Sequence, residues 1–382
     1  MFIEKQIISK KVTVPPSKSL SHRALICAAM AEGQSVIENV NLCDDVVATA
    51  RCLEKLGAEI ALDGEKTTVK GTFPKGSAVL DCGESGSTMR MLMPLASLTG
   101  EKMIFTGAPR LLERPINIYE DIFLGQGRKF GVYDDRYEVE GALSGGCFSY
   151  RGNVSSQFTS GLMLAAPLMQ GYSIIEPADP VVSRPYITLT AAVMRDFGIE
   201  ISGEGNRIVI GEQKYRPTEY AVEGDWSFGA NLFVMNELGH NIIIEGLERN
   251  SLQGDRAIKL LLGKLRRGCS EIDISDCPDL APSLMAVAPL MYGCTLYGTD
   301  RLTDKECSRG EAMTAELEKF GVRCEMGENC IYIPPCRDFH APTETVLSHN
   351  DHRIAMALFA LLTLTSGEID DLSCISKSAV LG

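Results

Sequence analysis

The sequence predicts an α/β fold built from six copies of one unit and divided between two domains. The first observation is a recurring pattern in which a polar cluster leads into an apolar helical run that stops at a glycine. The clusters lie at 17–19, 85–87, 155–157, 226–228, 278–280 and 350–353, and the closing glycines are Gly33, Gly100, Gly171, Gly239, Gly293 and Gly367. These glycines stand about 54 to 74 residues apart, a spacing typical of an internal repeat. The second observation is the length of 382 residues, which favours two domains over one.

A second helix–glycine–strand element completes the repeat. It is visible at 53–60, 194–201 and 317–324, and each copy is followed by a turn and another strand. We therefore expect each unit to have the order β-α-β-α-β-β. The first helix of each unit is apolar on nearly all sides, which predicts that it lies inside its domain.

The composition excludes several classes of partner. A net charge of −13 argues against nucleic acid and against an anionic membrane surface. No apolar stretch is long enough to cross a bilayer, and residues 1–11 lack the apolar region of a secretion signal, so we expect a soluble cytoplasmic protein. The 13 cysteines contain no C-x-x-C pair, which predicts reduced thiols without disulfides or a metal site.

The stretch P-P-S-K-S-L-S-H-R, residues 15–23, places two cations at the start of a predicted helix. Lys18 and Arg23 stand where the helix dipole disfavours positive charge, which indicates an anion bound nearby. The three serine hydroxyls and the free backbone N–H groups would bind the same anion. The alternative is a serine cap followed by two solvated charges.

Other basic groups occur beside the later helix starts, together with two carboxylates. The basic residues are Arg90, Arg110, Arg114, Arg184, Lys305, Arg309, Arg353 and Lys377. The carboxylates are Asp279 in C-P-D-L-A-P and Glu306 in K-E-C-S-R. Each cation alone fits a solvated surface charge, but the set fits substrates that carry several phosphates and carboxylates.

These motifs, in this order, resemble the enolpyruvyl transferases, and most closely the members that act on shikimate 3-phosphate. The resemblance rests on S-K-S-x-S-x-R, G-S-T-M-R, E-R-P, S-S-Q, P-D, K-E-x-x-R and N-D-H-R, and it covers nearly the whole chain. It implies an inside-out α/β barrel fold, in which each of two domains holds three β-α-β-α-β-β repeats around inward helices. The repeats place the first domain at 16–222 and the second at 1–15 plus 223–382, with the active site in the cleft between them.

The resemblance also implies a reaction. The enolpyruvyl group of phosphoenolpyruvate would pass to the 5-hydroxyl of shikimate 3-phosphate, and phosphate would be released. No cofactor and no metal are implied, the two small molecules are the only expected partners, and a monomer is expected.

The motif positions carry the expected roles. The residues expected to bind shikimate 3-phosphate are Lys18, Ser19, Arg23, Ser155, Ser156, Gln157, Ser183, Tyr186, Asp279 and Lys305. Those expected to bind phosphoenolpyruvate are Lys18, Gly86, Arg114, Gln157, Arg309, Arg353 and Lys377. Asp279 is the expected base for the 5-hydroxyl, and Glu306 with Lys18 would move protons at the enol carbon.

Some residues depart from the family pattern and keep two alternatives open. Glu84 stands where many members have asparagine, and Ser308 replaces an aspartate expected to support Arg309. Together with a C-terminus shorter than the pattern, these changes fit a non-catalytic anion-binding member of the same fold. The other alternative is a UDP-N-acetylglucosamine enolpyruvyl transferase, but residues 110–119 lack the loop cysteine typical of that branch.

Overall fold

The computed structural model describes residues 1–268 and 270–377, with the side chain of Lys377 outside that description. The helices are α1 (Lys18–Met30), α2 (Asp44–Lys55), α3 (Gly86–Ser97), α4 (Pro109–Leu112), α5 (Asn117–Gly125), α6 (Ser156–Ala165), α7 (Arg184–Asp196), α8 (Trp226–Glu237), α9 (Ile258–Arg266), α10 (Ala281–Val287), α11 (Arg309–Glu318) and α12 (His352–Thr365). Short 3-10 turns lie at Ala166–Leu168, Gly254–Ala257, Pro278–Leu280, Ala288–Leu290, Asp300–Asp304 and Ser373–Lys377.

The strands are short and fall into several small sheets. They are β1 (Phe2–Ile3), β2 (Ser9–Thr13), β3 (Gly33–Glu38), β4 (Glu59–Ala61), β5 (Lys66–Gly71), β6 (Ala78–Asp81), β7 (Met103–Thr106), β8 (Lys129–Val132), β9 (Tyr137–Glu140), β10 (Cys147–Arg151), β11 (Ser173–Ala178), β12 (Ser202–Glu204), β13 (Arg207–Ile210), β14 (Glu219–Ala221), β15 (Asn241–Glu245), β16 (Glu271–Asp273), β17 (Cys294–Tyr297), β18 (Glu325–Gly327), β19 (Cys330–Ile333) and β20 (Gly367–Glu368).

The chain forms two compact units. One comprises Pro16–Glu223, and the other comprises Met1–Pro15 with Gly224–Gly382. Each unit has its own hydrophobic core, made of different residues. Within 1–268 and 270–377, every helix is too short or too polar to span a lipid bilayer. The cytoplasmic location expected from the sequence stays a prediction.

The unit Pro16–Glu223 contains three four-stranded sheets of one topology. Their strand orders are β14-β3-β5-β4, β6-β7-β9-β8 and β10-β11-β13-β12. In each sheet the first two strands are parallel and the other neighbours are antiparallel. This arrangement is the predicted β-α-β-α-β-β unit, except that the first sheet takes its leading strand, β14, from the end of the unit.

Helices α1, α3 and α6 form the interior of this unit, because nearly all their residues beyond the first turn are buried. Helices α3 and α6 pack closely at Gly161. A Cβ atom there would lie only 2.3 Å from the carbonyl oxygen of Arg90 and 2.3 Å from the hydroxyl of Tyr119. Glycine at this position therefore sets the spacing of two helices whose N-termini carry predicted site residues.

The other unit repeats the plan less completely than the sequence predicted. Sheet β16-β17-β19-β18 has the full topology, with a parallel pair followed by antiparallel neighbours. Among the described residues, however, β2 and β15 form a two-stranded parallel pair, and β1 and β20 form an antiparallel pair to which Val346 adds a single parallel bridge at Ile369. The expectation of six complete copies is therefore corrected to four complete sheets and two reduced ones.

The predicted starts of five repeat helices are confirmed, but the closing glycines do not all mark helix ends, since Gly33 and Gly367 begin β3 and β20. Side-chain oxygens of Ser17, Ser85, Ser155, Asp225 and Asp351 each accept a backbone N–H in the first turn of the helix that follows. The six closing glycines all have positive φ, from 70° at Gly293 to 157° at Gly367. The fifth helix differs slightly, since it begins as the 3-10 turn at Pro278–Leu280 before α10. The polar clusters thus bring side chains and unpaired N–H groups to the N-terminal ends of buried helices.

Candidate active site

Lys18, the first residue of α1, is paired with a carboxylate of its own unit. Its Nζ lies 3.0 Å from Asp45 Oδ2, and both side chains are largely buried. Asp45 stands in the first turn of α2, where the helix dipole favours a negative charge. Lys18 therefore has a counter-ion within its own unit, and the sequence motifs did not predict that partner.

Arg23 is buried among α1, α6 and α7. Its Nε donates to Thr190 Oγ1 at 2.7 Å, and its Nη1 donates to the carbonyl of Ser19 at 2.7 Å. Its Nη2 makes longer contacts, of 3.4 Å, with Ser160 Oγ and the carbonyl of Tyr186. Burial lowers the pKa of Arg23 to about 10, so the group stays charged at neutral pH. Arg23 therefore contacts the backbone carbonyls of Ser19 and Tyr186, two residues predicted to bind shikimate 3-phosphate.

Gly86, Arg114 and Gln157 come together at the first turn of α3. A Cβ at Gly86 would lie 3.0 Å from Arg114 Nη1 and 3.5 Å from Gln157 Oε1. Arg90, one turn further along α3, donates to Gln157 Oε1 at 2.9 Å, and Gln157 Nε2 donates to Ser87 Oγ at 3.0 Å. The Nε of Arg114 is buried and has no hydrogen-bond partner among the described residues. This corner offers two guanidinium groups beside a helix N-terminus, a geometry suited to phosphate.

Ser155, Ser156 and Ser183 lie at the starts of neighbouring helices. Ser155 caps α6 by accepting the N–H of Gln157 at 3.3 Å, and Ser156 is the first residue of that helix. Ser183 precedes α7 with a left-handed φ of 52°. The backbone joins the two loops, since the N–H of Gly152 donates to Ala178 and the N–H of Val182 donates to Gly152.

The second unit gathers the predicted carboxylates around Arg309, the first residue of α11. Arg309 Nη1 lies 2.7 Å from Asp279 Oδ1, and its Nη2 lies 2.7 Å from Glu306 Oε2. Its Nε lies 2.7 Å from Asp351 Oδ2. Lys305 Nζ also contacts Asp279 Oδ1, at 3.0 Å. Asp351 therefore supplies the partner for Arg309 that the Ser308 substitution was expected to remove.

Arg353 lies in the first turn of α12 and has a different environment from Arg309. Its side chain is only 5% exposed, and its Nε and Nη1 have no hydrogen-bond partner among the described residues. Burial opposes its charge, but Asp279, Asp225 and Asp255 together raise its pKa. Arg353 is thus a charged, buried donor that is held by nearby carboxylates without direct hydrogen bonds to those two atoms.

Asp279 is ionised at neutral pH. Burial opposes its ionisation, but Lys305, Arg309 and Arg353 outweigh that effect and hold its pKa well below the usual range. Burial also lowers the pKa of Lys305, against the attraction of Asp279. A carboxylate so surrounded is a weak base, and an incoming anion that shares its cations would make it a stronger one.

Asp255 is a further carboxylate of this cluster that sequence reasoning missed. It is fully buried, and Ser227 Oγ donates to its Oδ2. Burial, and then the charge of Asp279, raise the pKa of Asp255 to about 6. Its sequence setting, G-D-R in an ordinary turn, gives no signal of this role.

The predicted site residues therefore form two groups. In Pro16–Glu223 the structure brings together Gly86, Arg114 and Gln157, links Arg23 to Ser19 and Tyr186, and joins the loops of Ser155, Ser156 and Ser183, while Lys18 pairs with Asp45. In the other unit it brings together Asp279, Lys305, Glu306 and Arg309 with Arg353 close by. The side chain of Lys377 lies outside the described residues. The described residues contain no cluster of three or more histidine, cysteine or acidic side chains arranged for a metal ion.

The chain matches a known family along almost its whole length. The sequence model of the family described as EPSP synthase (3-phosphoshikimate 1-carboxyvinyltransferase) matches residues 4–270 and 263–380. A 3-phosphoshikimate 1-carboxyvinyltransferase of Clostridium beijerinckii is 37% identical, and the match covers 97% of this chain and 93% of the relative. One of Clostridium kluyveri is also 37% identical, with 96% and 92% covered. The family predicted from the motifs is confirmed.

The fold is likewise shared with solved structures. An EPSP synthase structure from Acinetobacter baumannii matches with a TM-score of 0.77 over 98% of this chain and 94% of that chain. The sequence identity in that match is 23%, so the match shows the fold alone. The predicted α/β fold of repeated units is confirmed.

Proposed function

Because this chain belongs to the EPSP synthase (3-phosphoshikimate 1-carboxyvinyltransferase) family, we propose that it transfers the carboxyvinyl group of phosphoenolpyruvate to the 5-hydroxyl of shikimate 3-phosphate and releases phosphate. The observation that carries the proposal is the ionised carboxylate of Asp279, held between Lys305 and Arg309. A protein that only binds anions has no need of a carboxylate at that point, since it repels the ligand. A base for a hydroxyl group requires it.

The residues of Pro16–Glu223 fit the recognition of a phosphate and a carboxylate. The hydroxyls of Ser155, Ser156 and Ser183 at helix starts would hold the 3-phosphate, with help from Lys305. Ser19 and Arg23 would hold the ring carboxylate. Arg23 would then exchange its longer contacts, of 3.4 Å, for the substrate while keeping the two shorter ones.

Phosphoenolpyruvate would use both groups of residues. Its phosphate would bind Lys18, Gly86, Arg114, Gln157 and Lys377. Its carboxylate would bind Arg309 and Arg353. The free donor atoms of Arg353 and Arg114 support these roles, because buried guanidinium N–H groups without partners favour a bound anion.

The reaction would proceed by addition and then elimination. Asp279 takes the proton of the 5-hydroxyl as its oxygen bonds to C2 of phosphoenolpyruvate, while Glu306 with Lys18 delivers a proton to the methylene carbon. Loss of a proton from the new methyl group then expels phosphate and restores the double bond. The surrounding cations stabilise the negative charge of the tetrahedral intermediate.

The charge balance around Asp279 gives this scheme a physical basis. In the free protein three cations keep the pKa of Asp279 low, so it is a weak base. When substrate phosphate binds Lys305 and substrate carboxylate binds Arg353, the cations are shared with new anions. The pKa of Asp279 then rises and its basicity increases at the moment it is needed. Both groups of residues come from one chain, so the proposal needs no second copy.

The test is phosphate release from phosphoenolpyruvate with and without shikimate 3-phosphate. We expect release only with both substrates, and a decrease of about 10²- to 10⁴-fold in Asp279→Asn, as for removal of a general base. Asp276→Asn, an exposed change three residues away, is the control and should leave the rate unchanged.

The same assay separates the two alternatives. Release that requires UDP-N-acetylglucosamine instead of shikimate 3-phosphate would assign the chain to the other branch. Stabilisation by shikimate 3-phosphate in a thermal shift assay, without any release of phosphate, would identify a non-catalytic member of the fold.

A further inference from the structure

The segment 345–351 leads into the start of α12. It is held from one side by hydrogen bonds to 368–370 and from the other by side chains at the end of α11. We call it the strap. Its last residue, Asp351, accepts from Arg309 and caps α12 through the N–H of Arg353 at 2.8 Å. Whatever fixes the strap therefore also fixes Asp351, Arg309 and Arg353.

Glu316 holds the strap from the second turn of α11. Its Oε2 accepts the N–H of Leu347 at 2.9 Å, and its Oε1 lies 2.9 Å from His349 Nε2. Lys319 lies 2.8 Å from Glu316 Oε2 and donates to the carbonyl of Thr345 at 3.0 Å. The Glu316 side chain is only 2% exposed, so these contacts are shielded from water. Burial opposes its charge, but His349, Lys319 and the Leu347 N–H together lower its pKa.

The backbone beyond this contact is strained. His349 and Asn350 have φ of 52° and 53°, which are left-handed values in two consecutive residues that are not glycine. Such conformations cost about 1 kcal/mol or more each and persist only where the surroundings enforce them. The turn places Asp351 and Arg353 at the start of α12, so the strain lies directly beside the predicted ligand.

We propose that Glu316 is a positioning residue for the phosphoenolpyruvate site, which it serves by clamping His349 and Leu347 so that Asp351 and Arg353 keep their places. Helix α11 contacts the strap at two places. Arg309 binds Asp351 inside the site, and Glu316 contacts His349 outside it. Loss of the contact between Glu316 and His349 lets the strained turn at 349–350 relax, and the guanidinium of Arg353 then shifts. This inference rests on the proposed function, because it takes phosphoenolpyruvate as the ligand of Arg353.

The test uses Glu316→Gln in the full chain, with Glu318→Gln as the matched control. Glu318 lies on the same helix but is 66% exposed, with Arg323 as its partner at 3.8 Å. Glutamine at 316 keeps an oxygen for the Leu347 N–H and loses the charge that holds His349 and Lys319. We expect the KM for phosphoenolpyruvate to rise about tenfold, as for a displaced guanidinium ligand, while the KM for shikimate 3-phosphate stays within about twofold.

A structural readout accompanies the kinetic one. Amide hydrogen exchange across 345–356 should be faster in Glu316→Gln than in the wild type or in Glu318→Gln. His349→Gln removes the other partner and should give the same pattern. The double variant should lose no more than Glu316→Gln alone, because both act through one contact. If Glu316→Gln does not fold, His349→Gln carries the test, since its side chain is more exposed.

The possible results distinguish the positioning role of Glu316 from the proposed function of the chain. Equal increases in both KM values, or unchanged hydrogen exchange in 345–356, would overturn the positioning role and leave Glu316 as a general support of the fold. A wild-type chain that releases no phosphate would overturn the proposed function instead. The exchange comparison would then still decide whether Glu316 holds the strap.

Discussion

Arg309 and Arg353 have the same predicted role but very different partners. Arg309 lies between three carboxylates, those of Asp279, Glu306 and Asp351, and its side chain is 2% exposed. Arg353 keeps two donor atoms without partners. Since a buried guanidinium with three carboxylates already has its hydrogen bonds, we expect Arg309 mainly to hold the other groups in place. We expect Arg353, with its unpartnered donors, to be the stronger ligand of an anion.

Asp255 yields a prediction about stability and pH. Its pKa is raised to about 6 in the fold, against an ordinary value near 3.9. Well below pH 4 the carboxyl group is protonated in both states and has no effect on stability. Between about pH 4 and pH 6 the unfolded state ionises while the folded carboxyl stays protonated, so stability falls across this range. Above about pH 6 both states are ionised and the full loss of stability remains.

We therefore expect Asp255→Asn to stabilise the protein at pH 7.5, by on the order of 1–3 kcal/mol, and to stabilise it by clearly less at pH 4.5, where the folded carboxyl is still protonated. Asparagine can still accept from Ser227. Urea unfolding at the two pH values measures the difference, with the exposed Asp276→Asn as control. A loss of stability of equal size at both pH values would contradict the prediction.

Part of the candidate site could be predicted from the sequence. The motifs predicted Asp279, Lys305, Glu306, Arg309 and Arg353, because their residue types and order are characteristic. They did not predict Asp45, Asp255 or the partner role of Asp351. An ion pair between residues 27 positions apart, such as Lys18–Asp45, depends on how α1 packs on α2, and a single sequence carries no signal of that contact.

Among the elements, helix starts were the most predictable features, and glycines predicted the approximate ends of the helices. A capping oxygen and a closing glycine are local signals, so they can be read directly from the chain. Sheet completeness was not predictable in the same way. Strands β1 and β2 pair with β20 and β15 across more than 200 residues, and short strands without a hairpin partner give no local sign of where they pair.

The close packing of α3 on α6 gives the second prediction. Gly161→Ala would place a methyl group about 2.3 Å from backbone and hydroxyl oxygens, so the helices must separate. We expect a loss of about 1–3 kcal/mol in the free energy of unfolding, together with lower activity, because Gln157 and Arg90 lie on these two helices.

Gly263→Ala is the matched control for that change. Gly263 lies inside α9, and a Cβ there would meet nothing within 4 Å. Alanine is the better helix former, so we expect a small gain of about 0.5–1 kcal/mol. Urea unfolding of the two variants should show opposite signs. Equal effects would mean that the space around Gly161 does not control the packing.

The molecule as a whole is acidic, whereas its candidate site is rich in basic residues. A chain of net charge −13 repels anionic ligands at long range, so its cations must be concentrated where the substrates bind. The repeat contributes to this by starting each buried helix at a polar cluster, where Lys18 and Arg353 lie. The same architecture explains why the composition argued against nucleic acid as a partner but could not identify the ligand.

The two separate cores lead to the last prediction. The core of Pro16–Glu223 and that of Met1–Pro15 with Gly224–Gly382 are built from different residues, so we expect calorimetry to show two unfolding transitions. Gly161→Ala should lower one of them only, and Asp255→Asn should raise only the other at pH 7.5. Shikimate 3-phosphate should raise both, because the residues proposed to bind it come from both units and a ligand stabilises whatever it binds. A single transition that either substitution shifts as a whole would show instead that the two cores unfold as one, and a ligand effect on one transition alone would assign the binding residues to that unit.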